Sequence, residues 1–397
     1  MRHPAPALAD LQHGRLCYSR ERMCAHPRQC PIYHDGEGEI AVIHHHAPCS
    51  YRAPSDIGHG QTGYKGRAKI LLQRSFDNGA TWPVDEEVVI WDDSLPLEEK
   101  RTLLSQADQS DVSRERIDLS SPDSMVYFAR PATGPEDDEG NPAVECFAFR
   151  SGDRGATWET VPTRVSPPSG MSYIHIDGAP LAKFPDGSQL AIATCGPSPA
   201  TSTLRIYGTD DHGLSWSHIA EVHRDPTAQG RSTYGALLLL PGGRLQCYML
   251  NLGGQRDAIQ MNHSDDGGYS WTTPKPIVAW GQSPWRSLSL EHAWSGARRG
   301  PRYRSPWPLR LKDGRILVIF GRRRPPFGIG VIVSEDDGET WSAEAVLRAD
   351  ASDWDLGYPV AVELKDGRVF TTYYYMEEDG NSFGGTRHIA STIFRLA

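Results

Sequence analysis

Arginine is the residue type most concentrated where chemistry could occur. Arg298, Arg299, Arg302 and Arg304 fall in one short run, and Arg322, Arg323 and Arg324 in another. A guanidinium fork binds a carboxylate through two parallel hydrogen bonds. Solvation is the ordinary fate of such charge runs, so they matter only where the fold turns them into a pocket. Arg256, in the stretch Asn251–Asp257, is a further candidate. A second constellation lies in His44–Gly66, where His44, His45, His46, Asp56, His59 and Tyr64 sit among Gly and Pro. Histidine, carboxylate and phenol in one polar loop suit proton transfer to and from a substrate. A metal is not expected, because alternation on a strand points His45 away from His44 and His46 and no Cys or acidic partner has a fixed spacing. No other cofactor is implied.

The elements that must hold these residues are written in a repeat. An octapeptide of pattern S/T-x-D-x-G-x-T/S-W occurs five times, at Ser75–Trp82, Ser151–Trp158, Thr209–Trp216, Ser264–Trp271 and Ser334–Trp341. Its Asp can accept backbone N–H groups within its own turn, its Gly supplies a left-handed residue, and its Trp can bury a ring between sheets. These Asp residues are therefore structural. Asp35-Gly36, Asp186-Gly187, Gly242-Gly243, Asp313-Gly314 and Asp366-Gly367 form a second series, each between two apolar runs, as in tight hairpins. Each unit reads strand, Asp-Gly turn, strand, loop, strand, Asp turn, strand, which is a four-stranded antiparallel propeller blade.

Five octapeptides give five blades, and a sixth begins at Tyr358 and runs to Leu396. The segment Leu11–Tyr18 can supply its missing outer strand and close the ring, which removes an exposed edge. The expectation is an all-β, six-bladed β-propeller that forms a single domain over residues 1–397.

In such a blade the first strand starts, and the loop between second and third strands lies, on the face opposite the octapeptides. The loop is enlarged in blade one, between Asp35 and Asp77, and long loops of this kind tend to carry function. Counting back eight residues from Asp366, Gly242 and Asp313 reaches Tyr358, Tyr234 and Ser305, the last beside Arg304. The same count in blade three reaches Gly178, beside Asp177, and a shifted one in blade one reaches Gln29, beside Arg28. Arg28, Asp177, Tyr234, Arg304 and Tyr358 are thus expected to converge on the axis.

The repeats resemble the Asp-boxes of the sialidase superfamily, over nearly the whole chain. That resemblance implies an arginine set gripping a substrate carboxylate, here Arg28, Arg304 and one of Arg322–Arg324, and a tyrosine nucleophile, matched by Tyr358. Tyrosine suits an anomeric carbon that bears a carboxylate, since an anionic nucleophile would be repelled. The chain departs from the pattern at Tyr234, where the family has the glutamate that activates the nucleophile. It departs again at Tyr64, where the family has an acid, and at Pro27–Pro31, where the family's Arg motif is altered. Asp56 or His59 could supply the proton instead.

Two enzymes and a binding protein fit these residues. The first is a sialidase-like exo-glycosidase hydrolysing a terminal acidic sugar, with Tyr358 at the anomeric carbon, Asp56 or His59 as proton donor, and Arg28, Asp177, Arg256, Arg304, Arg322 and Arg324 around the substrate. The second is a polysaccharide lyase that removes the α-proton of a uronate with His or Tyr, a chemistry that His59, Tyr64 and Tyr234 suit better. The third is a glycan-binding propeller without turnover.

The arginines and the resemblance imply an acidic glycan as partner, and composition argues against other classes. With 41 Lys+Arg against 50 Asp+Glu the net charge is −9, which disfavours general nucleic-acid binding. Apolar runs such as Ala236–Leu240 are too short for a bilayer, so no membrane partner is expected. The start lacks the apolar core of a secretory signal, and the seven Cys lack CxxC spacing, so reduced thiols and a cytoplasmic location are expected, with secretion the alternative if a signal was trimmed.

Overall fold

The computed structural model describes residues 3–27, 31–60, 63–109, 114, 116–136, 142–176, 180–224, 231–252, 258–279 and 303–397. Its strands form a six-bladed β-propeller. Blade four is the plainest, with Arg231–Leu239, Leu245–Leu252, Ala258–Ser264 and Lys275–Ala279 pairing antiparallel in order. Blade five repeats it with Tyr303–Arg310, Ile316–Arg322, Gly328–Ser334 and Ala345–Arg348.

In two blades the described residues give two inner segments on the same partner strand. In blade one Arg22–Ala25 and Ile32–His34 both pair with Ile40–Pro48, and in blade three Tyr173–Ile176 and Ala182–Lys183 both pair with Gln189–Gly196. In blade two the described residues form three strands of the sheet, Met125–Ala129, Cys146–Ser151 and Thr163–Val165. A hairpin, Ala132–Glu136 with Pro142–Val144, is added there, and the helix Leu97–Ser105 follows blade one.

Ring closure follows the sequence expectation. Gly357–Glu363, Val369–Met376 and Arg387–Leu396 make three strands of blade six, and the N-terminal strand Leu8–Cys17 supplies the fourth. The Cys17–Cys24 disulfide then ties that strand to the first strand of blade one. This corrects the expectation of reduced thiols for these two residues. Cys49, Cys146 and Cys195 are free and buried, and Cys247 is buried as well.

The octapeptides build the turns as their residues require. In the first, Ser75 Oγ donates to Asp77 Oδ1 at 2.8 Å, Thr81 N and Thr81 Oγ1 donate to the same carboxylate, and Trp82 Nε1 donates to Gly79 O at 3.1 Å. The residue after each Asp (Asn78, Arg154, His212, Gly267, Asp337) and the next Gly have positive φ. The Trp rings bridge to the preceding blade: Trp82 meets Phe370, Trp216 meets Phe128 and Trp341 meets Tyr248. Between blades the second strands are buried on both faces, which is why Ile316–Arg322 reads as a continuous apolar run. Outer strands such as Ser217–His223 are largely open to solvent.

Candidate active site

A recurrent kink aims side chains into the axial site. The first strands of blades four, five and six each carry one extra residue relative to their partner, between Thr233 and Ala236, Arg304 and Trp307, and Gly357 and Val360. Inside each bulge sits a residue in the left-handed region: Tyr234 at φ 53°, Ser305 at 45° and Tyr358 at 56°. Bulky residues rarely hold that conformation, and bulges re-aim side chains at sites. In blade one His26, just after Arg22–Ala25, takes it as well, at φ 59°.

Arg304 ties two of these positions together. Its Nε and Nη2 donate to the Tyr358 hydroxyl at 2.9 and 2.7 Å, and Nη2 also donates to the Tyr234 hydroxyl. The guanidinium lies 4.0 Å from the Tyr234 ring centre and 5.1 Å from that of Tyr358. Burial pulls the Arg304 pKa down, but the two phenols and Asp355 outweigh it and hold it above its ordinary value. Tyr358 is 3% exposed, whereas Tyr234 and Arg304 are half-buried and border the opening.

Arg323 and Asp355 form the second charged pair. Arg323 Nη2 meets Asp355 Oδ1 at 3.0 Å, and Arg323 Nε donates to Leu356 O. Tyr374 donates to Asp355 Oδ2 at 3.2 Å. His59 Nε2 stands 2.9 Å from the same oxygen, a charge contact set too obliquely to count as a hydrogen bond. Burial pushes the Asp355 carboxyl up, but His59, Arg323 and Arg304 together hold it well below the usual range. Arg323 is pulled down by burial and then by the neighbouring Arg304 charge. Arg323 pairs with Asp355 while Arg304 acts on it at longer range, and Lys65 is close enough to act on His26 and His45. Both of these histidines are buried and shifted far towards the neutral form.

The enlarged loop brings its chemistry to this point. His44–Pro48 belongs to a strand, and the loop proper, between Pro48 and Lys69, is braced by short helical turns at Pro54–Ile57 and Lys65–Arg67. Tyr64 is fully buried and its hydroxyl is hydrogen-bonded to His26 Nδ1. His59 packs on His26 at 4.9 Å and on Tyr64 at 5.4 Å, and its side chain remains a third exposed. The alternation expected of the triplet is present: His44 faces Gln73, and His45 faces His26 and Tyr64.

The structure thus brings Tyr358, Tyr234, Arg304, His59 and Tyr64 together. Asp56 is elsewhere, its carboxylate taken up by Ser50 Oγ, Arg52 N and Ala53 N within its own loop. Arg322 and Arg324 both pair with Glu344, while Arg323 between them turns to the axis, as alternation along an extended chain requires. Arg28, Asp177 and Arg256 lie outside the described residues. Sequence reasoning missed His26, which follows the strand Arg22–Ala25 and falls two residues short of the counted Arg28. It also missed Asp355, which precedes the last blade, where no repeat provides a count. A cavity of about 620 Å³ at the opposite end of the axis, among the hairpin turns at Lys183, Leu240, Arg310 and Lys312, holds none of these residues.

With this geometry in hand, the chain was compared with known proteins. The BNR repeat-like domain family matches it over residues 120–371. No curated protein matches it in sequence. Among solved structures, a protein of unknown function from Dyadobacter fermentans is 19% identical, with 98% of this chain and 99% of that one covered and a TM-score of 0.71. A Hadza microbial sialidase is 15% identical over 94% of this chain and 66% of its own, with a TM-score of 0.56. The intramolecular trans-sialidase of Ruminococcus gnavus, solved with oseltamivir carboxylate, is 12% identical over 94% of both, with a TM-score of 0.53. Identities this low speak for a shared propeller, not for a shared reaction.

Proposed function

The chain belongs to the BNR repeat-like domain family, and from that premise we propose that it is a glycosidase that hydrolyses a terminal acidic sugar from a glycan. The observation that carries this reading is the Arg304 guanidinium bonded to both Tyr358 and Tyr234 on the axis. Names of similar folds support it, since two of the compared propellers are a sialidase and a trans-sialidase. The acidic substrate is argued from Arg304: it donates to two phenols, and a substrate carboxylate would give it a counter-charge.

In the proposed reaction the sugar carboxylate docks between Arg304 and Arg323. Tyr358 attacks the anomeric carbon, and Arg304 meets charge developing on the phenolic oxygens. His59, the accessible member of the cluster, protonates the departing oxygen, with Asp355 orienting its ring and stabilising the cationic form. His59 serves better than Asp56, whose oxygens are occupied within the loop. Water then releases the sugar, with His59 taking its proton. The test is release of fluorophore from 4-methylumbelliferyl glycosides of sialic and uronic acids. Turnover lost in Tyr358→Phe supports the reading. Rising ultraviolet absorbance from an unsaturated product would mean elimination and would overturn it.

A further inference from the structure

The seam where blade six meets blade one gathers three soft ligands that the candidate reaction does not use. Cys17 ends the N-terminal strand Leu8–Cys17, Cys24 lies in Arg22–Ala25, and His44 lies in Ile40–Pro48. Their ligand atoms, two sulfurs and a ring nitrogen, all lie within 4.8 Å of one another. No spacing in the sequence announces the set, because ring closure brings Cys17 to the other two. Cys24 and His44 are buried, and Cys24 packs with Leu16, with Ile40 and Val42 of the His44 strand, and with Phe370 and Ile389 of blade six. His45, on the other face of that strand, turns to the candidate active site instead. Two features suit a metal. The Cα atoms of Cys17 and Cys24 are 6.7 Å apart, which allows two thiolates to sit about 3.8 Å apart on one tetrahedral ion with bonds of about 2.3 Å. The His44 ring nitrogens each stand 3.2 Å from an oxygen, Nδ1 from His45 O and Nε2 from Gln73 Oε1. A neutral imidazole has one N–H to donate, so its other nitrogen carries a lone pair. Ligating histidines are commonly held by such an N–H bond to a carbonyl.

We propose that Cys17, Cys24 and His44 bind a zinc ion when the disulfide is reduced, so that the seam has two alternative clamps. A thiol reductant is oxidised to its own disulfide as the Cys17–Cys24 bond breaks, and each freed sulfur takes a proton. Zinc then displaces both thiol protons to solvent and bonds the two thiolates and the His44 lone pair, with water as fourth ligand. Two thiolates cancel the charge of Zn²⁺, so the buried site is neutral. Thiolate and imidazole favour zinc, whereas magnesium and calcium take oxygen ligands. The ion would join the N-terminal strand to two strands of blade one, at the place the disulfide holds. The proposal is independent of the reaction assigned to the axial site.

The experiment compares two forms of the full chain. One is oxidised with diamide, the other reduced anaerobically with a phosphine, and each is given Zn²⁺, desalted and assayed for zinc. The buried Cys49, Cys146 and Cys195 contribute equally to both, so the difference belongs to the Cys17–Cys24 pair. The expected result is one additional zinc per chain in the reduced form. Its X-ray absorption should show two sulfurs at about 2.3 Å and nitrogen or oxygen at about 2.0–2.1 Å. Co²⁺ in place of zinc should give a thiolate charge-transfer band that Cys17→Ser and Cys24→Ser each weaken. His44→Ala should keep that band but lower zinc affinity by more than the roughly tenfold that losing an outer partner costs. Equal zinc in the two forms, or a shell of nitrogen and oxygen alone, would overturn the proposal. So would unchanged affinity in folded His44→Ala. The two wild-type forms decide if a variant fails to fold.

Discussion

The rings of His26 and Tyr358 stand 4.5 Å apart, edge to face, although they come from opposite ends of the chain. Closure of the ring puts blade one beside blade six, and the N-terminal strand and the Cys17–Cys24 bridge hold that seam. Both residues have left-handed backbones that turn them from the strand path towards the axis. The seam of the propeller is therefore also the centre of its candidate chemistry.

Arg304→Lys tests the bridge between the two phenols. An ammonium is a point donor and cannot reproduce a planar fork that reaches Tyr358 and Tyr234 together. With a substrate identified, kcat/KM should fall roughly 10²–10³-fold. The melting temperature should move little, because the charge is retained.

Asp355→Asn removes the carboxylate shared by Arg323, Tyr374 and His59. It leaves a buried guanidinium without its counter-ion, so the unfolding free energy in urea should drop by about 3 kcal/mol at pH 7. The native pKa of Asp355 lies below its unfolded value. Its stabilisation is thus complete above the ordinary carboxylate range near pH 4 and is lost only as pH falls below it. The wild-type minus variant difference should stay flat from about pH 7 to 5.

Acid should destabilise the fold through blade one. Burial lowers the pKa of His26, His44 and His45, and that of His46 goes down to about 4 through burial, then His44, Arg22 and Lys69. Bases depressed in the native state contribute fully above the unfolded histidine pKa, about 6.5, and lose that contribution as pH falls. Urea midpoints should therefore decline from about pH 6.5 towards 4, with slopes of up to about 1.4 kcal/mol per pH unit for each proton taken up. His45→Asn should flatten the decline, and an unaltered slope would remove His45 from the account.

Trp341→Ala tests the octapeptide as a structural device. The ring is 7% exposed, donates to Gly338 O at 3.0 Å and packs edge-on against Tyr248 of the preceding blade. Its loss should cost about 3–5 kcal/mol in chemical unfolding. Activity of the folded fraction should persist, since the turn lies on the face away from the site.

The sequence is legible where it repeats. Hairpin turns at Gly242, Asp313 and Asp366 stand at one distance from the strand starts of blades four, five and six, so counting back from them reaches Tyr234, Ser305 and Tyr358, which share one type of bulge. Counting fails where the repeat is interrupted. His26 follows the strand Arg22–Ala25, two residues before the counted Arg28, and Asp355 lies in a connection that belongs to no repeat. The choice among Arg322, Arg323 and Arg324 depended on strand phase, which two flanking prolines obscured. Asp56 looked like a proton donor because a loop carboxylate offers no sequence sign that Ser50 and two backbone N–H groups will claim it.

The central claim, that the phenol held by Arg304 attacks an acidic sugar, is tested most directly by trapping. A fluorinated sialyl fluoride, whose glycosyl-enzyme would hydrolyse slowly, is incubated with the protein, which is then digested and mapped by mass spectrometry. The account predicts one sugar per chain on the peptide containing Tyr358, and no adduct in Tyr358→Phe. Turnover of the reagent with no adduct, or an adduct on another side chain, would contradict it.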